Sequence, residues 1–258
     1  MPELPEAETI ARTLAPHVEG RLIRSIRFFA PRARRGMIPD LEGRRLLRSR
    51  RHGKQVVLEL DGGVLMVKLG MTGSLRWRGP AGPYTRALLE LDEGWISFDD
   101  VRQFGSIGWA PECPRSLGPD PLEVSEEEFR ARLALRSARI KTLLLDQHFL
   151  RGLGNIYADE ILFAAAIHPL TPARRLDAER VGRLYQVMRD VLERAIAAGG
   201  SSISDYVDAD GRPGNFQQFH QVYGRAGGNC PRCGRTLRRI LIAQRSTHFC
   251  PGCQKQNY

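Results

Sequence analysis

The chain has 258 residues, 42% of them hydrophobic, and 39 Lys and Arg against 29 Asp and Glu give a formal net charge of +10. That length supports one or two domains with real cores, and the positive balance favours a polyanion, nucleic acid before membrane. No run approaches the roughly 20 apolar residues of a bilayer span, and the first residues lack a charged-then-apolar export pattern, so a cytoplasmic chain is expected.

The chain opens Met1-Pro2-Glu3-Leu4-Pro5-Glu6. Removal of Met1 would leave a proline α-amine flanked by carboxylates. An α-amine titrates near pH ~8, so much more of it is unprotonated at neutral pH than of a lysine. Attack of such a secondary amine on an aldehyde carbon gives a charged iminium, a recognised electron sink. The plain alternative is the first turn of an ordinary helix, where Pro5 fits well. Leu4, Ala7, Ile10, Ala11, Leu14 and Val18 form one helical stripe over 4–18, with Gly20 just beyond it.

From 21 to about 110 the pattern changes to short β-type runs: 55–60, 64–67, 87–91 and 95–98, with turns at Asp61-Gly62-Gly63 and Asp92-Glu93-Gly94. Frequent short strands with Gly turns predict a sandwich or barrel. Arginines cluster at 32–35, 44–51 and 235–239, as a phosphate-binding surface or as solvated strand faces. Residues 111–123, with Pro111, Pro114, Gly118, Pro119 and Pro121, read as a linker. Helices follow. Ser125 with Glu128 makes a capping-box pattern, and further helices are predicted over about 137–147, 155–166 and 177–198. The polar 201–217 stretch is expected to be a loop.

Two constellations carry chemistry. In Arg151-Gly-Leu-Gly-Asn155-Ile-Tyr157, the glycines allow tight turns and Asn155 is placed to cap the next helix, whose start could hold a phosphate; a plain interhelical turn fits the local sequence as well. The second is Cys230-x2-Cys233-x16-Cys250-x2-Cys253, the spacing of a structural zinc ribbon with a hairpin between two thiolate knuckles. Iron–sulfur or redox use are competing chemistries, and His248 could stand in for one thiolate, although four cysteines suffice. Cys113 stands alone, with a small buried hydrophobe as its default role.

Four stretches in order together resemble the bacterial formamidopyrimidine-DNA glycosylases, also called 8-oxoguanine DNA glycosylases. They are the terminal Met1–Thr9, Leu69-Gly-Met-Thr-Gly-Ser-Leu75, Leu153-Gly-Asn-Ile-Tyr-Ala158, and Gln244-Arg-Ser-Thr-His-Phe-Cys250 with the four cysteines. The resemblance spans the chain. It implies a multidomain α+β fold: an N-terminal catalytic β-sandwich with its helix (1–112), a linker (113–123), a helical helix–two-turns–helix domain (124–223) and a zinc finger (224–258).

The resemblance also implies the roles. Pro2 would be the nucleophile, Glu3 the acid/base of sugar-ring opening, and Glu6 a supporting carboxylate. Lys54 would contact phosphate and assist β-elimination. Arg245 would grip the phosphates at the lesion; an arginine, with a pKa above about 12, is a better clamp than proton donor. Arg136, Lys141 and Asn155 fall at or near phosphate-contacting positions. Met71, Arg102 and Phe104 would fill the gap left by the extruded base, with Arg102 reaching the orphaned cytosine. One structural Zn2+ and damaged double-stranded DNA are the implied cofactor and partner, for a chain acting as a monomer without a small-molecule cofactor. Three departures stand out. Gln103 replaces an arginine, Tyr84 replaces a frequent histidine, and Arg151 occupies a usually small apolar position. Altered affinity is the expected result. The alternatives are an oxidised-pyrimidine glycosylase of the same superfamily, against which Leu4-Pro5, Arg102/Phe104 and the 201–217 loop argue, and a non-catalytic zinc-finger DNA-binding protein.

Overall fold

The computed structural model describes residues 2–256, so the expected removal of Met1 concerns a residue outside the described ones. The chain divides into two compact units. One comprises residues up to 115 together with 195–217; the other comprises 116–194 and the residues from 218 onward.

In the first unit, α1 (Leu4–Val18) forms where the stripe predicts, and Leu4, Ala7, Ile10, Ala11, Leu14 and Val18 are all buried. Nine strands follow: β1 (Ile23–Phe28), β2 (Arg34–Arg35), β3 (Leu46–His52), β4 (Gln55–Leu60), β5 (Gly63–Lys68), β6 (Gly73–Trp77), β7 (Thr85–Leu91), β8 (Trp95–Asp100) and β9 (Ser106–Ala110). They make a four-stranded sheet in the order β1-β7-β8-β6 and a five-stranded sheet in the order β2-β9-β5-β4-β3. Every pairing is antiparallel except the short parallel contact of β2 with β9. In β7 the residues Thr85, Ala87, Leu89 and Leu91 point inward while their neighbours are half-buried, the period of a strand with one face on a core. Both sheets and α1 share that core, through Leu75, Leu89 and Phe98, Leu58, Leu65 and Ile107, and Ile10 and Leu14. This is the expected sandwich.

Several clustered arginines are spent inside this unit. Arg51 donates from Nε to Glu8 of α1 (2.9 Å), Arg50 pairs with Glu59, and Arg44 reaches the Asp61 carbonyl (2.9 Å). Cys113 is only half-buried and lies 3.4 Å from an Arg50 guanidinium nitrogen, so it is not the buried hydrophobe expected. The 201–217 stretch lacks regular structure until a short 3-10 turn at Phe216–Phe219, but it is closely packed. The Ala209 amide donates to Thr13 Oγ1 of α1 (3.1 Å), its carbonyl accepts from the Trp77 amide (2.9 Å), and Tyr206 and Ala209 join the sandwich core.

The second unit is helical. Ser125 Oγ accepts the Glu128 amide (3.1 Å) and starts α2 (Glu126–Ala134), whose first turn carries three glutamates where the helix dipole favours them. Next comes α3 (Ile140–Leu145), shorter than the expected 137–147. Arg139 is held in an extended bridge to Pro172, and Asp146 turns extended at the other end. Two turns lead to α4 (Asn155–Ala164), and α5 (Ala178–Ala197) follows. Phe129 packs against Phe149 and Tyr185 at ring distances of 6.0 and 5.7 Å. The hairpin of β10 (Arg238–Ile242) and β11 (Arg245–Phe249) completes the unit.

Candidate active site

Pro2 is buried immediately ahead of α1. Glu3 takes the cap position, 2% exposed, and Glu6 reaches back from the third helical position to accept the Glu3 amide proton at 2.7 Å. The other Glu6 oxygen accepts the Ser201 amide, also at 2.7 Å. One buried carboxylate thus fastens the amino terminus to the 201–217 stretch. Gly200 makes this approach possible: its φ is +81°, and a Cβ there would lie 2.9 Å from Glu6 Oε1. The Tyr206 hydroxyl donates to the Glu6 carbonyl (3.3 Å); burial first, then the Glu6 charge, drives its pKa well above the usual tyrosine value.

Lys54 occupies the two-residue turn joining β3 to β4, half-buried. Gly53, with φ +63°, supplies the left-handed residue such a turn demands at its first position. Because Arg51 at the foot of this hairpin is paired with Glu8, the lysine is carried on a strand pair anchored to α1, the helix that follows Pro2 and Glu3. Met71, Arg102 and Phe104 come together on two neighbouring loops, 42% and 53% exposed at Met71 and Phe104. An Arg102 guanidinium nitrogen lies 3.2 Å from Met71 Sδ, and the guanidinium stands 4.7 Å from the Phe104 ring centroid.

The remaining expected residues are in the second unit. Asn155 does not cap α4: Gly154 takes that place with φ −135°, and Asn155 is the first helical residue. Its Nδ2 instead donates to the Ser246 carbonyl in β11 (2.8 Å), while its Oδ1 is buried with no hydrogen-bond partner among the described residues. Lys141, expected at phosphate, is fully buried. Its ammonium donates to Asp159 Oδ1 (2.6 Å) and to the Asn155 carbonyl (3.3 Å). Asp159 Oδ2 in turn accepts from both the amide (2.9 Å) and Nδ1 (3.0 Å) of His248. The next residue, Glu160, accepts the amides of Gln221, Val222 and Tyr223 at 2.8 to 3.0 Å; burial pushes its pKa up against the lowering effect of those three bonds. Helix α4 thereby fixes both the approach to the zinc module and the strand that begins with Arg245. Arg245 is exposed and directly follows the Ala243-Gln244 turn, in which both residues have positive φ, the requirement of a two-residue hairpin of type I′. Arg136 is exposed just after α2.

The four cysteine sulfurs lie within 4.8 Å of one another, with Cys230 to Cys253 at 3.8 Å and Cys233 to Cys250 at 3.4 Å. A tetrahedron with Zn–S bonds of about 2.3 Å has edges of roughly 3.8 Å, so the arrangement fits a closed four-thiolate zinc site. The Arg232 and Cys253 amides each donate to a sulfur at 3.4 Å, as knuckles around a metal do. His248 faces Asp159, so it does not stand in for a thiolate. Four thiolates leave no open coordination position, and the metal's role is to hold the module.

The departures find different places. Gln103 has φ +53° in the Arg102–Phe104 loop, and Tyr84 is exposed beside Arg86. Arg151 fastens the two-turn segment to the residues before α2, through the Gly118 carbonyl (3.0 Å), Glu123 (3.2 Å) and buried Asp120 (3.5 Å).

Three family models match: the formamidopyrimidine-DNA glycosylase N-terminal domain over residues 1–107, the formamidopyrimidine-DNA glycosylase H2TH domain over 117–207, and the zinc finger found in FPG and IleRS over 227–256. The chain belongs to the formamidopyrimidine-DNA glycosylase family. It is 52% identical to a formamidopyrimidine-DNA glycosylase of Solibacter usitatus over 265 residues, covering 99% of this chain and 100% of that one. It is 45% identical to a Thermus thermophilus relative, covering 98% of each. Among solved glycosylase structures, the MutM (Fpg) protein of Thermus thermophilus matches with a TM-score of 0.90 at 43% identity, covering 100% of each chain. The Lactococcus lactis Fpg in complex with DNA containing N7-benzyl-Fapy-dG matches with a TM-score of 0.90 at 34% identity, covering 99% and 100%.

Within this glycosylase frame, sequence reasoning missed Asp159 and Glu160. A signal for both was present: adjacent acids in the otherwise apolar helix 155–164 must be paired if the helix is buried on every side.

Proposed function

We propose that the chain repairs oxidised purines, 8-oxoguanine and formamidopyrimidines, in double-stranded DNA, acting as a DNA glycosylase and then as an AP lyase. The observation that carries this reading is a buried Pro2 next to a buried Glu3 whose amide is held by Glu6, in a chain matched to the glycosylase family across its sandwich, helical and zinc segments.

With Met1 removed, the Pro2 nitrogen attacks C1′ of the extruded nucleotide and displaces the base. Glu3 donates a proton as the sugar ring opens, leaving an iminium on Pro2. The cation makes the C2′ proton acidic, and loss of that proton expels the 3′ phosphate; a second elimination expels the 5′ phosphate. Lys54 holds phosphate near the lesion and assists the first elimination. Arg245, Asn155 and Arg136 hold the strand, and Lys141 acts through Asp159 as a positioning residue. Met71, Arg102 and Phe104 take the space of the departed base, offsetting an unstacking cost of a few kcal/mol. The zinc ion, when bound, keeps the Arg245 hairpin folded. The chain works as a monomer on duplex DNA in the cytoplasm, with no small-molecule cofactor.

Borohydride trapping on an 8-oxoguanine duplex tests this reading. A covalent adduct mapping to residue 2 by peptide mass is expected. No adduct, or one mapped elsewhere, refutes the mechanism. Duplexes carrying formamidopyrimidine and thymine glycol separate purine from pyrimidine specificity.

A further inference from the structure

We propose that Asp100 and Thr72 are positioning residues that hold Met71, Arg102 and Phe104 as one preassembled wedge for base extrusion; the proposal rests on the glycosylase reading above.

Asp100 ends β8 and is 1% exposed. Its Oδ1 accepts the Thr72 hydroxyl (2.6 Å) and the Arg102 amide (3.2 Å), and its Oδ2 accepts the Gly105 amide (2.7 Å). The Thr72 oxygen, having donated its proton to Asp100, also accepts the Arg102 amide (3.1 Å). One carboxylate therefore closes the 100–105 loop at both ends and ties it to the loop that carries Met71. The backbones of the two loops touch. A Cβ on Gly70, whose φ is +67°, would lie 2.7 Å from the Phe104 carbonyl carbon, and a Cβ on Gly105 would lie 2.7 Å from the Lys68 carbonyl oxygen.

The consequence lies on the surface above. Met71 and Phe104 are large apolar side chains left in solvent, yet both contact Arg102. Burying a carboxylate is costly unless it is fully hydrogen-bonded, and here every bond it makes within this pair of loops orders the backbone under the wedge. Ordering the three side chains in advance removes a cost that insertion would otherwise carry. A preordered wedge is needed most where a base must be displaced, and at an abasic site only the gap remains to be filled. An abasic site has no base to evict.

Single-turnover rates on two duplexes separate this role from simple support of the fold. One duplex carries 8-oxoguanine opposite cytosine; the other carries a preformed abasic site opposite cytosine. Thr72→Val keeps the shape and removes the hydroxyl. It is expected to slow 8-oxoguanine excision about tenfold, the scale of one hydrogen bond expressed in a rate, with abasic-strand cleavage within about twofold of the unaltered chain. Thr72→Ser restores excision, and Asp100→Asn slows it further than Thr72→Val. Equal loss on both duplexes, or no loss on either, overturns the proposal while leaving the glycosylase reading intact. Absence of excision by the unaltered chain overturns that reading instead, and this proposal with it.

Discussion

Replacing both members of the Lys141–Asp159 pair should destabilise the second unit by less than the two single replacements taken together. Lys141 Nζ and Asp159 Oδ1 are 2.6 Å apart with both side chains fully buried. Removing one partner of such a pair typically costs about 3–5 kcal/mol, because a charge remains inside without its counterion. Lys141→Met, close in length and apolar, should therefore lower the midpoint of thermal unfolding by about 10 °C in the zinc-loaded protein. Asp159→Asn should do the same and also weaken the hold on His248. The double variant Lys141→Met/Asp159→Asn should cost less than the sum of the singles, by on the order of 2 kcal/mol, since no orphaned charge is left. Urea and thermal melts of the four proteins measure the cycle. DNA affinity should follow the same order, because Asp159 grips His248, three residues beyond Arg245. Additivity within about 0.5 kcal/mol, or an unchanged melting temperature in either single variant, would refute the reasoning.

Two further outcomes are expected. Native mass measurement should find one zinc per chain, and Cys250→Ala should lose it together with most DNA affinity, because structural zinc supplies about 10–16 kcal/mol of binding energy to such modules; unchanged duplex binding by the metal-free chain would contradict this. His220 is held neutral by burial, which pulls its pKa down from 6.5 to about 4. Its contribution to stability is complete above pH 6.5 and is lost as the pH falls from 6.5 toward 4, where the unfolded chain takes up the proton more readily. His220→Gln should therefore show a smaller drop in melting temperature between about pH 7.5 and 5 than the unaltered chain.

What sequence made legible was whatever a local pattern determines. The 3.6-residue stripe of α1, the Gly turns flanking β4–β5 and β7–β8, the Ser125 cap and the cysteine spacing each follow from nearest neighbours along the chain. What it hid depends on partners distant in sequence. Helix α3 is short because Arg139 pairs with Pro172, a contact far along the chain that no helical propensity anticipates. Asn155 looks like a cap by composition, but its amide is committed to Ser246. Lys141 looks like a phosphate ligand on resemblance alone; only the fold brings Asp159 to it. The 201–217 stretch is polar enough to read as a free loop, yet two of its residues complete a core built from the other end of the chain.

That last feature bears on the order in which the molecule matures. Chains emerge amino terminus first, and domains tend to fold as they appear. Here Pro2 and Glu6 are made long before Ser201, which binds the second Glu6 oxygen, and Ala209, which plugs the sandwich. A chain released before Ser201 leaves the second Glu6 oxygen without that bond and the sandwich without Ala209. Assembly of the segment around Pro2 and Glu6 is thereby tied to synthesis of the 201–217 stretch, so a fragment that stops short of it lacks these contacts.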